Sequence, residues 1–302
     1  MLVNLESIKI DEIIGYCVNV LEPRFLRESK NQALFIISQI ANIPYMKLLL
    51  PDNRITLDKV TSEKIYAAVQ MRAAGIPLQY ITGKAYFMNE EYMVGKGVLI
   101  PRKETEILVE EAFRIINETN IQNILELCTG SGCIIISLLK MMDIYGKSYK
   151  AAATDISEEA ISYAKRNINF LKPENPIEII KHDIINEDIS RIKNHCDKYE
   201  IIISNPPYIK TDEIKNLDPQ VYLYEPFEAL NGGIDGLVFY NRIAMLSFEL
   251  LANGGYLLLE IGYDQYDEVS EILHNTGIFE KISVKKDYSG NHRVITARRF
   301  SL

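Results

Sequence analysis

The stretch Ile201-Ile202-Ile203-Ser204-Asn205-Pro206-Pro207-Tyr208 holds residue types from which a specific chemistry can be read. Three consecutive isoleucines describe a strand buried on both faces, as in a parallel sheet covered by helices. Two prolines then end it, because proline brings no N–H to a ladder. Asn205 and Pro206 each precede a proline and are pushed towards extended backbone. The result is a stiff loop at the carboxyl end of a strand, where open α/β sheets place their ligands. It offers the Asn205 side-chain oxygen and the Pro206 carbonyl as two acceptors, with the Tyr208 ring as a cover. That set suits a planar NH2 group. Such a nitrogen is a poor nucleophile because its lone pair is delocalised. Two fixed acceptors orient it and favour the charge it develops as it attacks a methyl donor. Asn-Pro alone is a common turn signal, so the rest of the chain must support the reading.

A donor pocket is spelled by a second set of residues. Glu126, Gly130 and Gly132 give the spacing acid-x-x-x-Gly-x-Gly around Cys128-Thr129-Gly130-Ser131-Gly132. Glycines let a backbone approach a ligand closely at a helix start. This is not the dinucleotide fingerprint, which needs a third glycine; Ile135 stands there. Asp155, at the end of the next strand, can accept from both hydroxyls of a ribose. Asp183 and Ile184, after the third strand, can flank an adenine ring. Together they describe a nucleoside pocket without phosphate-binding glycines, which suits S-adenosylmethionine better than NAD. His182 reads as a hydrogen-bonded strand-end residue, and Cys128 and Cys133 as small packing residues. Arg102 beside a helix start is disfavoured by the helix dipole, so it is either a surface charge or a wall of the site.

These residues need a scaffold, and the hydrophobic pattern supplies one. Residues 1 to about 75 read as helical. One stripe runs through Ile10, Ile13, Ile14, Cys17, Val18 and Leu21 until Pro23, and a second through Leu34, Ile37, Ile40 and Ala41. A short helix is expected over Tyr45 to Leu50 before Pro51, and Thr61 or Ser62 is placed to cap another. Pro77 to Gly83 leads into a hairpin turning at Asn89-Glu90. A helix follows from about Glu104. From Asn123 strands and helices alternate: strands at 124–127, 150–155, 177–181, 201–204 and 255–261, then a closing hairpin over 281–287 and 294–298. This predicts an α/β doubly wound, Rossmann-like sheet whose last strand is antiparallel, with a small N-terminal helical domain. The domains are expected at 1–75, 76–100 as a linker with the hairpin, and 101–302. The stretch Thr211 to Gly236 is long for a loop without regular structure, and such loops tend to be functional.

Composition narrows the classes. The 302 residues are 47% hydrophobic and 25% charged, with a net charge of −8. A general nucleic-acid binder usually needs a basic face; the only basic cluster is Lys281, Lys285, Lys286, Arg293, Arg298 and Arg299, which reads as protection of sheet edges. The four cysteines form no Cys-x-x-Cys pair and the four histidines no metal spacing, so no metal is expected. The start, Met1 to Glu6, lacks the order of a signal peptide, and no apolar run is long enough to span a bilayer. A cytoplasmic protein with reduced thiols is expected.

The chain resembles the peptide chain release factor glutamine methyltransferases, the PrmC/HemK family. The resemblance runs from about residue 25 to the end. It is carried by Pro77-Leu78-Gln79-Tyr80-Ile81-Thr82-Gly83, Ile100-Pro101-Arg102 with Glu104-Thr105-Glu106, the glycine turn and Asn205-Pro206-Pro207-Tyr208-Ile209. Tyr224-Glu225-Pro226, Gly254-Gly255, Leu258-Leu259-Glu260 and Asp287-Tyr288 add to it. Asn-Pro-Pro-Tyr is shared with adenine and guanine amino methyltransferases; the segment from Pro77 to Arg102 narrows the choice. The resemblance implies a class I S-adenosylmethionine-dependent methyltransferase fold. It also implies methyl transfer to the side-chain amide of the glutamine in the Gly-Gly-Gln motif of release factors. It puts Cys128, Thr129, Gly130, Ser131, Gly132, Asp155, Ile184 and Asn205 on the cofactor, and Asn205 to Tyr208 on the glutamine. Three departures are visible: Cys128 where Gly is common, Lys103 where Pro is common, and Glu126, the partner of the methionine amine, where Asp is common. A monomer without membrane or direct nucleic-acid binding is expected. The alternatives are an amino methyltransferase acting on nucleic acid or on a ribosomal protein, and a non-catalytic nucleotide-binding protein.

Overall fold

The computed structural model describes residues 7–50 and 54–301; the starting stretch Met1 to Glu6 and Pro51, both read above, lie outside them. The described residues divide into two compact units. One holds the chain up to Lys84 together with Asp218–Tyr224, the other Ala85–Leu217 and Glu225 onward.

The first unit is helical. Strand β1 (Ile8–Lys9) leads into α1 (Ile10–Phe25), α2 (Ser29–Ala41) and α3 (Tyr45–Leu48), and β2 (Thr56–Leu57) precedes α4 (Lys59–Ala73) and α5 (Leu78–Thr82). Helix α1 runs two residues past Pro23 and ends where Leu26 turns to φ 44°. The cap of α4 is Asp58, not Thr61 or Ser62. Its carboxylate accepts the Thr61 N–H at 2.9 Å, and the Thr61 hydroxyl donates to the same carboxylate. The two-residue pair β1–β2 was not legible, being too short to show alternation. Nor was α5, whose five residues bury no side chain fully. The core of this unit is the expected pair of stripes, with Ile10, Ile13, Cys17 and Leu21 packed against Leu34 and Ile37.

The second unit opens with the hairpin β3 (Lys84–Phe87) and β4 (Glu90–Met93). Its turn is Met88-Asn89, one residue before the expected place. Both residues have positive φ (49° and 62°), as a two-residue turn matching strand twist requires. A 3-10 turn (Lys103–Thr105) starts α6 (Glu106–Glu118). Then β5 (Asn123–Leu127), α7 (Cys133–Ile144), β6 (Lys150–Asp155), α8 (Glu158–Leu171), β7 (Ile177–Lys181), α9 (Ser190–His195) and β8 (Tyr199–Ser204) alternate. The expected long loop is partly regular. It holds 3-10 turns at Ile214–Asn216 and Phe227–Ala229 and a helix, α10 (Pro219–Tyr224), which belongs to the first unit. The chain ends with α11 (Val238–Leu250), β9 (Leu251–Glu260), α12 (Tyr266–Asn275), β10 (Phe279–Lys286) and β11 (His292–Arg299).

The seven-stranded sheet has the order β10-β11-β9-β8-β5-β6-β7. Strands β9, β8, β5, β6 and β7 are parallel, and β11 lies antiparallel to both of its neighbours. This is the doubly wound sheet with an antiparallel last strand that the pattern predicts. Helices α6 and α7 cover one face, with Ile201 and Ile203 among the side chains beneath them; α9, α11 and α12 cover the other, with Ile202. The three isoleucines are at most 1% exposed, as a strand covered on both faces demands. Among the described residues no helix is long and apolar enough to cross a membrane.

The central strand should therefore be sensitive to volume loss. Ile203→Ala is expected to cost about 2–5 kcal/mol, the range for emptying a buried aliphatic site. Denaturant unfolding measures it; a loss below about 1 kcal/mol would place Ile203 outside a packed core.

Candidate active site

The parallel strands deliver their carboxyl ends to one side, and a cavity of about 840 Å³ lies there. Its walls come from the segment before α6, the turn after β5, and the ends of β6, β7 and β8, and then from the chain around Phe227 and Phe239. The volume lies within the range of small-molecule and cofactor sites.

The turn after β5 is built on backbone conformations that most side chains avoid. Cys128 has φ 59° and Gly132 has φ 79°. A Cβ on Gly132 would also stand 3.0 Å from Ile136 Cδ1, so both conformation and space call for glycine there. The Thr129 N–H donates to the Thr154 carbonyl at 2.9 Å, and the Gly130 N–H to Asp155 Oδ2 at 2.8 Å. A buried Asn167 on α8 donates to the Ser131 carbonyl at 2.9 Å and exchanges two further bonds with Met93 at the end of β4. Nothing in the sequence marks Asn167, because its partners are backbone atoms distant along the chain.

Asp155 is the residue best placed for a ribose. Its oxygens hold Gly130 N–H and Ser157 N–H, at 2.8 and 2.9 Å. A carboxylate offers about four acceptor sites, so capacity remains for hydroxyl donors. Burial raises its pKa against those hydrogen bonds; a ligand that donates to it would return the charge to favour. Asp183 lines the cavity while its carboxylate caps the following turn, accepting from Ile185 N at 2.9 Å and from Asn186. Ile184 is 4% exposed and lines the same wall. His182 corrects an expectation: both ring nitrogens are buried without a hydrogen bond, although Nδ1 lies 3.2 Å from Glu187 Oε2. Burial lowers its pKa, which favours a neutral ring.

Asn205 leaves β8 at the opposite wall. The Asn205 Nδ2 donates to Thr105 Oγ1 at 3.2 Å, which leaves the amide oxygen as the group available to a ligand. Pro207 lines the cavity with it, as do Leu99, Pro101, Thr105 and Arg102. Arg102 is neither a bare surface charge nor an unpaired cation at a helix start. Its guanidinium pairs with Glu225, a buried carboxylate that also accepts the Ile100 N–H at 3.1 Å. Tyr208 reaches Glu260 Oε1 with its hydroxyl at 3.5 Å, and its carbonyl accepts from Gln265 Nε2 at 3.0 Å. Gly232 lies so close that a Cβ there would stand 2.7 Å from Tyr208 Cα. Four residues expected at the site do not line the cavity: Glu126, Gly132, Pro206 and Tyr208. Gly132 shapes the turn. Tyr208 is drawn to Glu260 because a buried phenol seeks a partner. Glu126 is fully buried, accepts the Thr129 hydroxyl, and is pushed up to about 8 by burial. Thr105, Asn167, Glu225, Glu260 and Gln265 position the site without having been singled out for it.

Comparison with known proteins decides the family. A family model described as PrmC N-terminal domain matches residues 12–83, and one described as Methyltransferase small domain matches residues 103–222. A release factor glutamine methyltransferase from Clostridium acetobutylicum is 38% identical over 281 residues, covering 92% of this chain and 95% of that protein. One from Thermodesulfovibrio yellowstonii is 38% identical, covering 89% of this chain and 92% of its own. The chain belongs to the release factor glutamine methyltransferase family. A solved protein-(glutamine-N5) methyltransferase (release factor-specific) from Alicyclobacillus acidocaldarius is 30% identical, covering 69% of this chain and 99% of that one, with a TM-score of 0.40. Within this release factor glutamine methyltransferase family the departure at Cys128 has a physical setting, since its φ of 59° is one that glycine adopts without strain. Lys103 opens the 3-10 turn ahead of α6, and nothing in the structure explains its replacing proline.

Two outcomes follow. Asp155→Ala should weaken cofactor binding by about 1.5–3 kcal/mol, the scale of charged hydrogen bonds; unchanged affinity by calorimetry would place the ribose elsewhere. Glu126 is raised from 4.5 to about 8 in the folded state. The native protein therefore holds more protons than the unfolded chain between those values, and this group makes stability fall as pH rises through them. Thermal unfolding between about pH 5 and about pH 8 should show a smaller fall for Glu126→Gln than for the unaltered protein. Equal slopes would mean that Glu126 ionises freely.

Proposed function

We propose that this enzyme transfers a methyl group to the side-chain amide nitrogen of the glutamine in the Gly-Gly-Gln motif of peptide chain release factors, using S-adenosylmethionine as donor. The observation that carries the reading is the Asn205 amide, anchored through its NH2 to Thr105 and placed on the cavity wall with its oxygen left for a donor. The residues fit the cofactor. The turn from Cys128 to Gly132 lets the backbone come close, Asp155 keeps acceptor capacity for ribose hydroxyls, and Asp183 and Ile184 border the adenine position. Glu126 serves the methionine amine indirectly, through Thr129 and the turn it supports. When bound, the cofactor supplies a methyl carbon made electrophilic by the positive sulfur.

The chain's own residues present the nucleophile. Asn205 Oδ1 accepts one hydrogen of the glutamine NH2 and so orients the nitrogen towards the methyl donor. Pro207, Leu99 and Pro101 form an apolar slot that excludes water around the side chain. Tyr208, tied to Glu260 and Gln265, braces the loop from behind. Positive charge that grows on the nitrogen as it takes the methyl group would be stabilised by the Asn205 oxygen. The methylated amide is then strongly acidic and loses its proton to water, so no strong base is needed. Arg102, held by Glu225, lines the mouth of the slot.

The helical unit is the docking domain for the folded substrate, and residues 76–100 join it to the catalytic domain. The enzyme acts in the cytoplasm as a monomer, with release factors as its protein partners and no direct contact with nucleic acid. The net charge of −8 supports this, since phosphate binding needs a basic surface.

Asn205→Ala tests the reading. With a release factor as substrate, turnover should fall about a hundredfold or more, the usual cost of losing a preorganised group, and cofactor affinity should change less. Near-normal turnover, or labelling that survives replacement of the motif's glutamine, would contradict it.

A further inference from the structure

The loop from Asn205 to Pro207 is short and stiffened by its prolines, so its two ends decide where Asn205 stands. At its start the Ser204 hydroxyl donates to the Leu127 carbonyl. Beyond its far end the chain pairs with a second segment. The Ile209 N–H donates to the Leu230 carbonyl at 3.0 Å, and the Ile209 carbonyl accepts the Gly232 N–H at 2.8 Å. The Thr211 N–H donates to the Gly233 carbonyl at 2.9 Å. Asn231 and Gly233, from this second segment, line the cavity.

Gln265, the residue before α12, ties both segments to the sheet. It is 6% exposed and does not line the cavity. Its Oε1 accepts the Gly262 N–H at 2.9 Å, just beyond the end of β9. Its Nε2 donates to the Tyr208 carbonyl at 3.0 Å and to the Gly236 carbonyl at 3.3 Å. A backbone N–H can only donate and a carbonyl can only accept, so these partners allow the amide one orientation. Gly236 comes so close that a Cβ there would stand 2.5 Å from the Tyr208 carbonyl oxygen and 2.7 Å from Gln265 Nε2. A buried carbonyl left without a donor is costly. Without the Gln265 NH2, the Tyr208 carbonyl would turn to find another, and the prolines before it leave few torsions to absorb the movement. On the proposed reaction, we infer that Gln265 is a positioning residue: by holding the Tyr208 carbonyl to the Gly236 turn and to the end of β9, it sets where the Asn205 oxygen meets the substrate nitrogen. It touches neither substrate nor cofactor in this role and acts through the loop.

Kinetics of the full chain with a release factor tests this. Gln265→Met keeps the length of the side chain and removes both donors; kcat should fall at least about tenfold, as small errors of orientation do. Affinity for S-adenosylhomocysteine by calorimetry should stay near its original value, because Gly130 and Asp155 hold each other elsewhere in the cavity. Gly236→Ala leaves the Gln265 amide in place but pushes on the Tyr208 carbonyl. It should lower kcat in the same way, and it serves as the test if Gln265→Met does not fold. A purely structural role would not produce the next result. On top of Asn205→Ala either change should cost little more, because the loss runs through the Asn205 oxygen. Full kcat in folded Gln265→Met, losses that multiply with that of Asn205→Ala, or a fall in cofactor affinity as large as the fall in kcat overturns the inference while leaving the proposed function standing. Inactivity of the unaltered enzyme on the release factor overturns the proposed function and the inference with it.

Discussion

The Ser204 hydroxyl donates to the Leu127 carbonyl across 2.8 Å at the exits of the two central strands. Both groups are buried, so the bond is costly to leave unmade. It fixes where the chain leaves β8 relative to where it leaves β5. One residue beyond it on one side stands Cys128, the first residue of the donor turn; one residue beyond it on the other stands Asn205. Methyl transfer needs a nucleophile and a donor held within a narrow geometry, and here both are hung from neighbouring strands of one parallel sheet. The apolar cores on the two faces, which take Ile201 and Ile203 on one side and Ile202 on the other, hold the strand in place.

Around this closure the site depends on acids whose surroundings differ. Asp155 spends part of its capacity on the glycine turn and keeps part for a ligand. Glu225 neutralises Arg102. Glu260 is raised to about 7 by burial, against the pull of Thr105 and Arg293, and sits behind the reactive loop. A sequence shows these only as acids near strand ends. Their division of labour comes from which backbone N–H groups and side chains reach them.

The legible part of the fold was the part governed by short-range pattern. The isoleucine run and the strand ends at Asp155 and Lys181 follow from hydrophobic periodicity and stop chemistry. Missing were elements too short to carry a period, such as α9 and the pair β1–β2. The membership of 218–224 in the helical unit depends on contacts far apart in sequence, for example Arg72 to Gln220 at 2.6 Å. At the site, Asn205, Asp155 and the glycine turn could be found because their residue types are unusual at those places. Asn167 and Gln265 could not, since an amide that holds distant backbone groups looks like any other polar residue. Tyr208 was expected on the cavity wall; the Glu260 carboxylate that draws its hydroxyl away lies 52 residues further along the chain.

The identity of the methyl acceptor is what remains to be measured most directly. Incubating the enzyme with isotope-labelled S-adenosylmethionine and a cell extract, then locating the label by tandem mass spectrometry, tests it without presupposing a substrate. One methyl group is expected on the side-chain nitrogen of the Gly-Gly-Gln glutamine of a release factor. Label on DNA or RNA, with none on the release factor, would contradict it.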